Sequence, residues 1–374
     1  MINYGRQFID RSDHMAVKSA LFSDWLTMGP KVHEFESEIS KICGAPSFVV
    51  SSGTAALHCA YAAIELKDGD EIITTPLTFI ATQATAMQFG ARIVFCDIDT
   101  QTGNIDPNSI EQLITTKTRA VTVVDYAGHP AELSKIRDMC NRNNIFMIED
   151  AAHSFGSFYQ DSPVGSIADL TTFSFFPTKN MTTGEGGAVS SINESLLNKA
   201  RLFGRQGVVK DPDQFLVSPD GKWYQEVHRI GLNYRLSDLQ CALGISQIKK
   251  LQKFKEKRDS IFTYYNDSLS KITQIRLPIK SKNVNPMWHL YPVQVLDGSR
   301  NSLFEYLWNL GIRTQVNYIP AYFHPVFQSL GYERGLCPKS EEFYAQEISL
   351  PIHPSLSKKD LKIVVAAITN FFGY

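Results

Sequence analysis

The sequence predicts an α/β fold, with a mostly parallel central sheet in a large domain and a smaller α+β domain at the C-terminus. Two observations lead to this prediction. Between residues 47 and 191, short apolar runs alternate with helix-like stretches, and each run is nearly continuous. Such runs are typical of strands covered by helices on both faces, as in parallel sheets. After about residue 250 the pattern changes to mixed strand and helix signals.

Seven runs are predicted as strands of the large sheet because each is short and rich in β-branched or aromatic residues. In chain order they are SFVV (47–50), EIITT (71–75), RIVFCDI (92–98), AVTVVDY (120–126), IFMIED (145–150), LTTFSFF (170–176) and GGAVSS (186–191). Ligands of such sheets bind beside the carboxyl ends of the strands. The residues at or just after these ends, which we expect to share one cleft, are Ser51–Thr54, Phe79, Tyr126, Asp150 and Ser174.

Helices are predicted between most strands, for example over 130–144, and over 236–265, where apolar residues recur at three- to five-residue spacing. The C-terminal elements are a strand at 289–296, a helix at 300–310, a segment at 312–318 and a final helix at 357–372. We therefore expect a large domain over 1–248, with an N-terminal arm, and a small domain over 249–374.

Composition argues against several classes of function. The 374 residues carry a formal net charge of −1, so no global electrostatic field would attract nucleic acid. The six cysteines are scattered, without a C-x-x-C pair or histidines at metal-ligand spacing, which argues against a metal site or a disulfide framework. We find no signal peptide and no apolar run of membrane-spanning length. These features predict a soluble, cytoplasmic protein that binds neither nucleic acid nor membrane.

Lys179 is the most informative residue because of its surroundings. It lies between Ser174 and the Gly-rich segment 184–187, and Asp150 ends an apolar strand upstream. Pyridoxal phosphate needs these two side chains, because an amine forms a Schiff base with its aldehyde and a carboxylate pairs with its ring nitrogen. Taken singly, Lys179 could be an ordinary exposed lysine and Asp150 a helix N-cap. Together they favour the cofactor.

The tract SSGT (51–54) is a candidate phosphate site. It joins an apolar strand to a helix-like stretch, and the first backbone amides of a helix bind phosphate. Gly53 would let the backbone approach closely, and Thr54 adds a hydroxyl. Alone, the tract could equally be a routine helix start. Its position relative to Lys179 and Asp150 favours phosphate.

Three further positions have both a structural and a functional interpretation. His153 is either a buried structural histidine or a partner of the cofactor's phenolic oxygen, and we favour the second. Phe79 is either a core residue or an aromatic face stacked on a planar ring. In GLNYRLSD (231–238), Asn233 and Arg235 belong to a capped helix start or bind a phosphate or sugar.

Six motifs resemble those of the DegT/DnrJ/EryC1/StrS family of sugar aminotransferases, and the resemblance covers essentially the whole chain. They are SSGTAAL, TTPLTFIAT, VVDYAGHPAE, IEDAAHSFG, FSFFPTKNMTTGEGG and GLNYRLSDLQCALG. The resemblance implies the fold-type I architecture of aspartate aminotransferase and a large domain that binds pyridoxal phosphate, with pyridoxamine phosphate as the intermediate form. Family dehydratases carry histidine in place of the lysine, so Lys179 favours transamination.

The resemblance also implies roles for individual residues. Lys179 would bond to the cofactor, Asp150 would meet the ring nitrogen, and Asn233 would reach the active site of a neighbouring subunit, which implies a homodimer with shared sites. The catalytic residues are then Lys179 and Asp150. The cofactor-binding residues are Gly53, Thr54 and Ser174 at the phosphate, Phe79 on the ring, His153 at O3′, and Asp150, Lys179 and Asn233.

Within the family, the chain most resembles the C4-aminotransferases of pseudaminic acid biosynthesis. The motifs concerned include GNIDP (103–107), GIRTQVNYIPAY (311–322) and EEFYAQEISLPIHP (341–354). This implies L-glutamate as amino donor and UDP-2-acetamido-2,6-dideoxy-β-L-arabino-hex-4-ulose as acceptor. The residues that would surround the nucleotide sugar are Tyr4, Asp24, Trp25, Leu26, Thr27, Asn233, Val316, Asn317, Tyr318 and Ile319.

Two positions depart from that group: FGRQG (203–207) stands where an Arg-Ser-His-Gly-like stretch is usual, and Asn317 stands where histidine is usual. These departures bear on the choice of sugar and not on the fold or the cofactor. Three alternatives stay open. The first is the same chemistry on another UDP-, dTDP- or GDP-linked 4-keto or 3-keto 6-deoxy sugar. The second is a PLP-binding regulatory dimer without turnover. The third is a dinucleotide-binding oxidoreductase, although no G-x-G-x-x-G follows the first strand.

Overall fold

The computed structural model describes all residues from Met1 to Tyr374. Its strands are β1 (Ser47–Val50), β2 (Glu71–Thr74), β3 (Arg92–Phe95), β4 (Thr118–Val124), β5 (Phe146–Asp150), β6 (Phe158–Tyr159), β7 (Ser162–Pro163), β8 (Leu170–Ser174), β9 (Gly187–Ser190), β10 (Val208–Val209), β11 (Glu226–Val227), β12 (Ile275–Arg276), β13 (Val284–Asn285), β14 (Tyr291–Val295) and β15 (Glu347–Leu350). Its α-helices are α1 (Arg11–Leu21), α2 (Pro30–Cys43), α3 (Gly53–Ala63), α4 (Ala81–Met87), α5 (Pro107–Ile110), α6 (Leu133–Asn143), α7 (Glu194–Gly204), α8 (Asp238–Ile248), α9 (Leu251–Leu269), α10 (Arg300–Asn309), α11 (Pro325–Ser329), α12 (Pro338–Gln346) and α13 (Lys358–Phe372).

The seven predicted strands form one sheet in the order β1-β9-β8-β5-β4-β2-β3. Strands β3, β2, β4, β5 and β8 are parallel, whereas β9 pairs antiparallel with both of its neighbours. The reason lies in the connection between β8 and β9, the loop 175–186, which contains no helix that could carry the chain back for a parallel pairing. Lys179 lies in this loop. The mostly parallel α/β prediction is confirmed.

Both faces of the sheet are buried, which explains the nearly continuous apolar runs. Ile72 and Ile148 belong to one hydrophobic cluster, together with α3. Their neighbours Ile73 and Met147 point to the other face and belong to a second cluster, together with α6. Since successive side chains of a strand point to opposite faces, a strand covered on both sides is apolar on both faces at most of its positions.

The C-terminal part has its own antiparallel sheet, in the order β12-β14-β15, which packs with α9, α10 and α13 around a separate cluster. The predicted strand at 289–296 and helices at 300–310 and 357–372 are confirmed as β14, α10 and α13. The segment 312–318 forms no strand and has only isolated bridges, Ile2 with Ile312 and Gln315 with Ser349.

The helical region predicted over 236–265 is confirmed, and it consists of two helices. The chain leaves the helical path at Lys249–Lys250, between α8 and α9. Lys250 Nζ lies 2.7 Å from Asp10 Oδ1 and 2.6 Å from Asp13 Oδ2, so the break brings this ammonium to two carboxylates of the N-terminal segment. The domain division at 248/249 coincides with the break and stays a prediction. No helix combines the length and the apolar character that crossing a membrane requires.

Candidate active site

A cavity of about 460 Å³ lies beside the carboxyl ends of the sheet strands, where residues after β1, β2, β5 and β8 converge. Segments from outside the large sheet complete its lining, including the N-terminal Tyr4, His289 and Gln315. The sequence-predicted residues that line it are Tyr4, Gly53, Thr54, Phe79, Asp150, His153, Ser174, Lys179, Asn317 and Tyr318.

Lys179 and Asp150 line the cavity without forming an ion pair with each other. Burial lowers the pKa of Lys179 to about 8, partly opposed by the negative charge of Asp150. Burial raises the pKa of Asp150, opposed by the hydroxyl of Thr82, which donates to Oδ2 at 2.7 Å, and by the amide of Ala152, which donates to Oδ1 at 3.2 Å. The charge of Lys179 also opposes the shift. Both shifts therefore disfavour the charged form of the group.

The start of α3 meets the end of β8 at the cavity. Ser52 caps the helix by accepting a hydrogen bond from the amide of Ala55 at 3.0 Å. The first amides of a helix have no partner within it, so they are free to bind an anion. A Cβ on Gly53 would lie 2.8 Å from the Cβ of Ser174. Glycine therefore permits the close approach that places the Ser174 hydroxyl beside the helix start.

His153 carries an unpaired polar atom at the cavity wall. Its Nε2 lies 3.0 Å from the hydroxyl of Tyr318, whereas its buried Nδ1 has no partner. The ring of His289 lies 4.3 Å away between centroids, and its Nδ1 is unpaired too. Burial lowers the pKa of both histidines well below the usual value, so both are neutral. Unpaired buried nitrogens are costly, which indicates a ligand atom as partner.

Phe79 is the large aromatic residue most open to the cavity, with 60% of its surface exposed. Its ring contacts Tyr318 edge-on, with centroids 6.5 Å apart. A free aromatic face at a cavity is suited to stacking on a planar ring.

Sequence reasoning missed several residues that build this site. Thr82 is fully buried and binds Asp150, although the two are 68 positions apart, and only its place in TTPLTFIAT could have pointed to it. Asn180 donates to the backbone carbonyls of His153 (2.6 Å) and Met287 (3.1 Å), which secures the loop that carries Lys179. No pattern in the sequence indicates the two contacts of Asn180.

Other predicted residues lie outside the cavity of their own chain. Tyr126 was expected in the cleft, but it is buried beneath the wall, where its hydroxyl donates to the carbonyl of Asn317. Asn233 is exposed and is bridged to Arg205 through the backbone. The remaining residues outside the cavity are Asp24, Trp25, Leu26 and Thr27, which are exposed, and Val316 and Ile319, which flank Asn317 and Tyr318.

Residues 7–369 match the model of the DegT/DnrJ/EryC1/StrS aminotransferase family. The chain belongs to this family. It is 39% identical over 374 residues to the UDP-4-amino-4,6-dideoxy-N-acetyl-beta-L-altrosamine transaminase of Campylobacter jejuni, covering 97% of this chain and 96% of the relative. Among solved structures it resembles PseC of Helicobacter pylori, an aminotransferase of pseudoaminic acid biosynthesis, with a TM-score of 0.93 and 32% identity over 100% and 99% of the two chains.

A second solved structure bears on the cofactor. Spr1654 of Streptococcus pneumoniae, a candidate sugar aminotransferase in its pyridoxamine phosphate (PMP) form, has a TM-score of 0.94 and 27% identity, over 100% of this chain and 99% of Spr1654. The predicted family, fold type, enzyme class and cofactor are thus confirmed: the protein is a pyridoxal phosphate-dependent sugar aminotransferase.

The cavity of this aminotransferase fits its cofactor in charge and shape. The open helix start beside Ser174 suits a phosphate, and the buried carboxylate of Asp150 suits a protonated ring nitrogen. The unpaired Nδ1 of His153 and the free face of Phe79 suit a polar planar ring. Lys179 supplies an amine that is partly neutral near pH 8.

Proposed function

We propose that this aminotransferase moves the amino group of L-glutamate to C4 of a UDP-linked 4-keto-6-deoxy sugar, namely UDP-2-acetamido-2,6-dideoxy-β-L-arabino-hex-4-ulose. The observation that carries the proposal is the convergence of Lys179, Asp150 and Ser174 on one cavity. The choice of sugar is supported by the Campylobacter and Helicobacter relatives, whose names refer to this chemistry.

Lys179 and Asp150 are the proposed catalytic residues. When bound, pyridoxal phosphate supplies an aldehyde for amine exchange and a ring that withdraws electrons. Lys179 is the proposed point of attachment, and its free amine then removes the proton at the α-carbon of glutamate. Asp150 stays ionised opposite a ring nitrogen and keeps that nitrogen protonated. Thr82 and the Ala152 amide orient the carboxylate by holding one oxygen each.

The remaining residues around the cofactor are proposed to bind rather than react. The start of α3 and the Ser174 hydroxyl hold the phosphate, with Gly53 and Thr54 contributing backbone and hydroxyl contacts. His153 pairs its free Nδ1 with the phenolic oxygen, and Phe79 covers the ring. A cavity wall of Tyr4, Asn317 and Tyr318 receives the sugar.

A homodimer with shared active sites is part of the proposal. Asn233 and the segment 24–27 lie outside the cavity of their own chain, where they contact no ligand site. Trp25 and Leu26 expose 54% and 50% of their surface, and Trp223 and Ile230 expose even more. Large exposed apolar side chains around these segments favour their burial against a second subunit.

A substrate panel tests the proposed acceptor. The protein would be offered glutamate, pyridoxal phosphate and, separately, UDP-, dTDP- and GDP-linked 4-keto-6-deoxy sugars, including both C5 epimers of the UDP-N-acetyl sugar. We expect amination of only the L-configured UDP sugar, read by mass spectrometry and NMR. Amination of a D-configured or GDP-linked sugar instead would contradict the proposed acceptor, but it would agree with the proposed transamination reaction. A protein that fails even to convert glutamate to 2-oxoglutarate would be the non-catalytic alternative.

A further inference from the structure

Four hydrogen bonds hold Asn317 in the cavity wall and leave one of its polar atoms free. Its amide N–H donates to Glu347 Oε2 at 2.7 Å, and its carbonyl accepts from the hydroxyl of Tyr126. Its side-chain Nδ2 donates to the hydroxyls of Tyr4 at 2.7 Å and Ser349 at 3.0 Å. Its Oδ1 has no partner in the chain and is not among the enclosed polar atoms. Asn317 therefore presents a hydrogen-bond acceptor to the cavity.

The orientation of this side chain depends on Glu347. The hydroxyls of Tyr4 and Ser349 can each donate or accept, so by themselves they do not distinguish the oxygen of the Asn317 amide from its nitrogen. An ionised carboxylate can only accept. Ser349 donates its hydroxyl hydrogen to Glu347 Oε1, which leaves its oxygen to accept from Asn317 Nδ2. The direction of the whole chain of hydrogen bonds is thus set at Glu347.

The backbone around these residues is firmly held. Glu347 and Ser349 lie on β15, an edge strand of the small sheet, and both are fully buried. The outer edge of β15 pairs with the segment that leads into Asn317: the amide of Ser349 donates to the carbonyl of Gln315 at 2.8 Å. The distance between carboxylate and amide is therefore fixed by a strand pairing as well as by the side chains.

We propose that Glu347 is a positioning residue that acts through Ser349 to decide which polar atom Asn317 presents to the nucleotide sugar. The inference rests on the proposed function, because a sugar in this cavity is what would meet that atom. With a carboxylate at 347, Asn317 presents its oxygen and accepts from a hydroxyl or amide N–H of the sugar. With a group that donates to Ser349, the hydrogen bonds reverse and Asn317 presents its NH₂. The two amide orientations have nearly the same shape, so the reversal requires no repacking.

The surroundings of Glu347 leave its charge unpaired. It forms no ion pair, and burial raises its pKa to about 8, opposed by its two hydrogen bonds and by the positive charge of Arg300. The other titratable or charged side chains that act on it are Tyr4, Tyr126, Tyr318 and Arg300. Burial raises the pKa of all three tyrosines, so they stay neutral when Glu347 ionises.

Glu347→Gln tests the proposal. The glutamine oxygen must accept from the Asn317 amide, so its NH₂ must donate to Ser349 and the chain of hydrogen bonds must reverse. We expect KM for the keto sugar to rise about ten-fold or more, because its donor group meets another donor. The half-reaction with glutamate, which involves no sugar, should keep its rate. The matched control is Glu342→Gln, an exposed residue on α12, which should change neither value.

The pH profile separates this role from a structural one. In the wild-type protein, KM for the sugar should fall as pH rises from about 7 to about 9, because the carboxylate form presents the acceptor. In Glu347→Gln, KM should be high and should lack this fall over the same range. Lys179 also titrates there, but it does so in both proteins. Calorimetric binding of the aminated sugar product to the pyridoxamine form, which offers no aldehyde to the product amine, gives the same comparison without chemistry.

Ser349→Ala provides a second variant that removes the relay with little change of volume. It should abolish the pH dependence of sugar affinity while the glutamate half-reaction stays close to wild type. Thermal stability should fall, because buried Glu347 loses one of its two hydrogen-bond donors. An unchanged KM and pH profile in Glu347→Gln, or an equal loss in the glutamate half-reaction, would overturn the inference. If the wild-type protein aminates no keto sugar at all, it is the proposed function that fails.

Discussion

At the scale of single residues, burial opposes the charge of the groups proposed to react with or bind the cofactor. It lowers the pKa of Lys179 and of His153 and raises that of Asp150, so each shift disfavours the charged form. A partly neutral amine can attack an aldehyde, and a buried carboxylate without an ion-pair partner attracts a protonated ring nitrogen. The site is therefore prepared for a cofactor that brings positive charge to Asp150.

We expect pyridoxal phosphate to be incorporated faster as pH rises through about 8, the pKa to which burial lowers Lys179. Below that pH the amine is mostly protonated and cannot attack; above it the rate should level off. Stopped-flow absorbance of cofactor-free protein mixed with pyridoxal phosphate would measure this. A rate that keeps rising toward the ordinary lysine pKa would contradict the shift.

Thr82→Val should slow the half-reaction with glutamate about ten-fold, because Asp150 loses one hydroxyl donor and its ionised form becomes less stable. Valine has nearly the shape of threonine, so the fold should persist. Single-turnover kinetics would measure the effect. The control is Thr85→Val on the same helix, whose hydroxyl donates only to the carbonyl of Ala81. Equal effects of the two substitutions would show that the threonine acts through the helix and not through Asp150.

At the scale of elements, the site depends on how the loop between β8 and β9 and the start of α3 meet at the carboxyl edge of the sheet. The loop between β8 and β9 brings Lys179 to the carboxyl edge, and α3 begins beside the last residue of β8. The start of α3 lies so close to β8 and β9 that two positions require glycine. A Cβ on Gly187 would lie 2.5 Å from the carbonyl oxygen of Ser52, and a Cβ on Gly53 would meet Ser174. The space that these glycines leave free therefore shapes the end of the cavity that is proposed to hold the phosphate.

Gly53→Ala should weaken cofactor binding by about 1–3 kcal/mol, because the added methyl pushes the start of α3 away from Ser174. Equilibrium dialysis of pyridoxal phosphate would measure the dissociation constant. As a control, Gly5→Ala adds a methyl that meets Thr178 Cγ2 at a more tolerable 3.3 Å and should have little effect. Wild-type affinity in Gly53→Ala would show that the helix start does not hold the phosphate.

At the scale of the whole molecule, the N-terminal segment ties the two sheets together. Ile2 pairs with Ile312 and packs in the core of the small sheet, and Tyr4 lines the cavity. Farther along, Asp13 is almost fully buried and pairs with Lys250 at the break between α8 and α9. An N-terminal residue thus helps to complete a cavity whose floor is the large sheet.

Asp13→Asn should lower the free energy of unfolding by about 2–3 kcal/mol, because Lys250 keeps its buried charge and loses its best partner. Asp10→Asn, on the exposed side of the same lysine, should lower the free energy of unfolding distinctly less. Burial raises the pKa of Asp13, but hydrogen bonds, above all the one from Lys250, outweigh burial and lower it. The stability that ionised Asp13 adds to the folded state is therefore fully present above the ordinary aspartate pKa. It is lost as pH falls through the lowered value. Urea unfolding at several pH values would measure both; equal costs would contradict the buried pair.

Mixing two inactive variants tests the shared active site. Lys179→Ala and Asn233→Ala should each lose most activity as homodimers. If Asn233 serves the neighbouring subunit, a mixed dimer has one intact site of two, and random re-assortment should restore about a quarter of wild-type activity. Steady-state amination after confirmed subunit exchange would measure it. No recovery would mean that Asn233 acts within its own chain or not in the site.

The sequence by itself determined the local features that depend on neighbouring residues. Nearly continuous apolar runs identified all seven strands of the large sheet, since burial on both faces favours apolar residues at successive positions. Asp150 at a strand end and Lys179 before a glycine-rich return indicated the cofactor, and the motifs around them indicated the family.

Only the tertiary structure decided the contacts between distant positions. Thr82 reaches Asp150, Glu347 reaches Asn317, and Lys250 pairs with Asp13 at the division between α8 and α9. Tyr126 supports the cavity wall from beneath, although its place at a strand end predicted a lining residue. The physical reason is the same in each case. A hydrogen bond or ion pair depends on where two side chains meet in space. When the two residues are far apart in sequence, no periodic pattern predicts their contact.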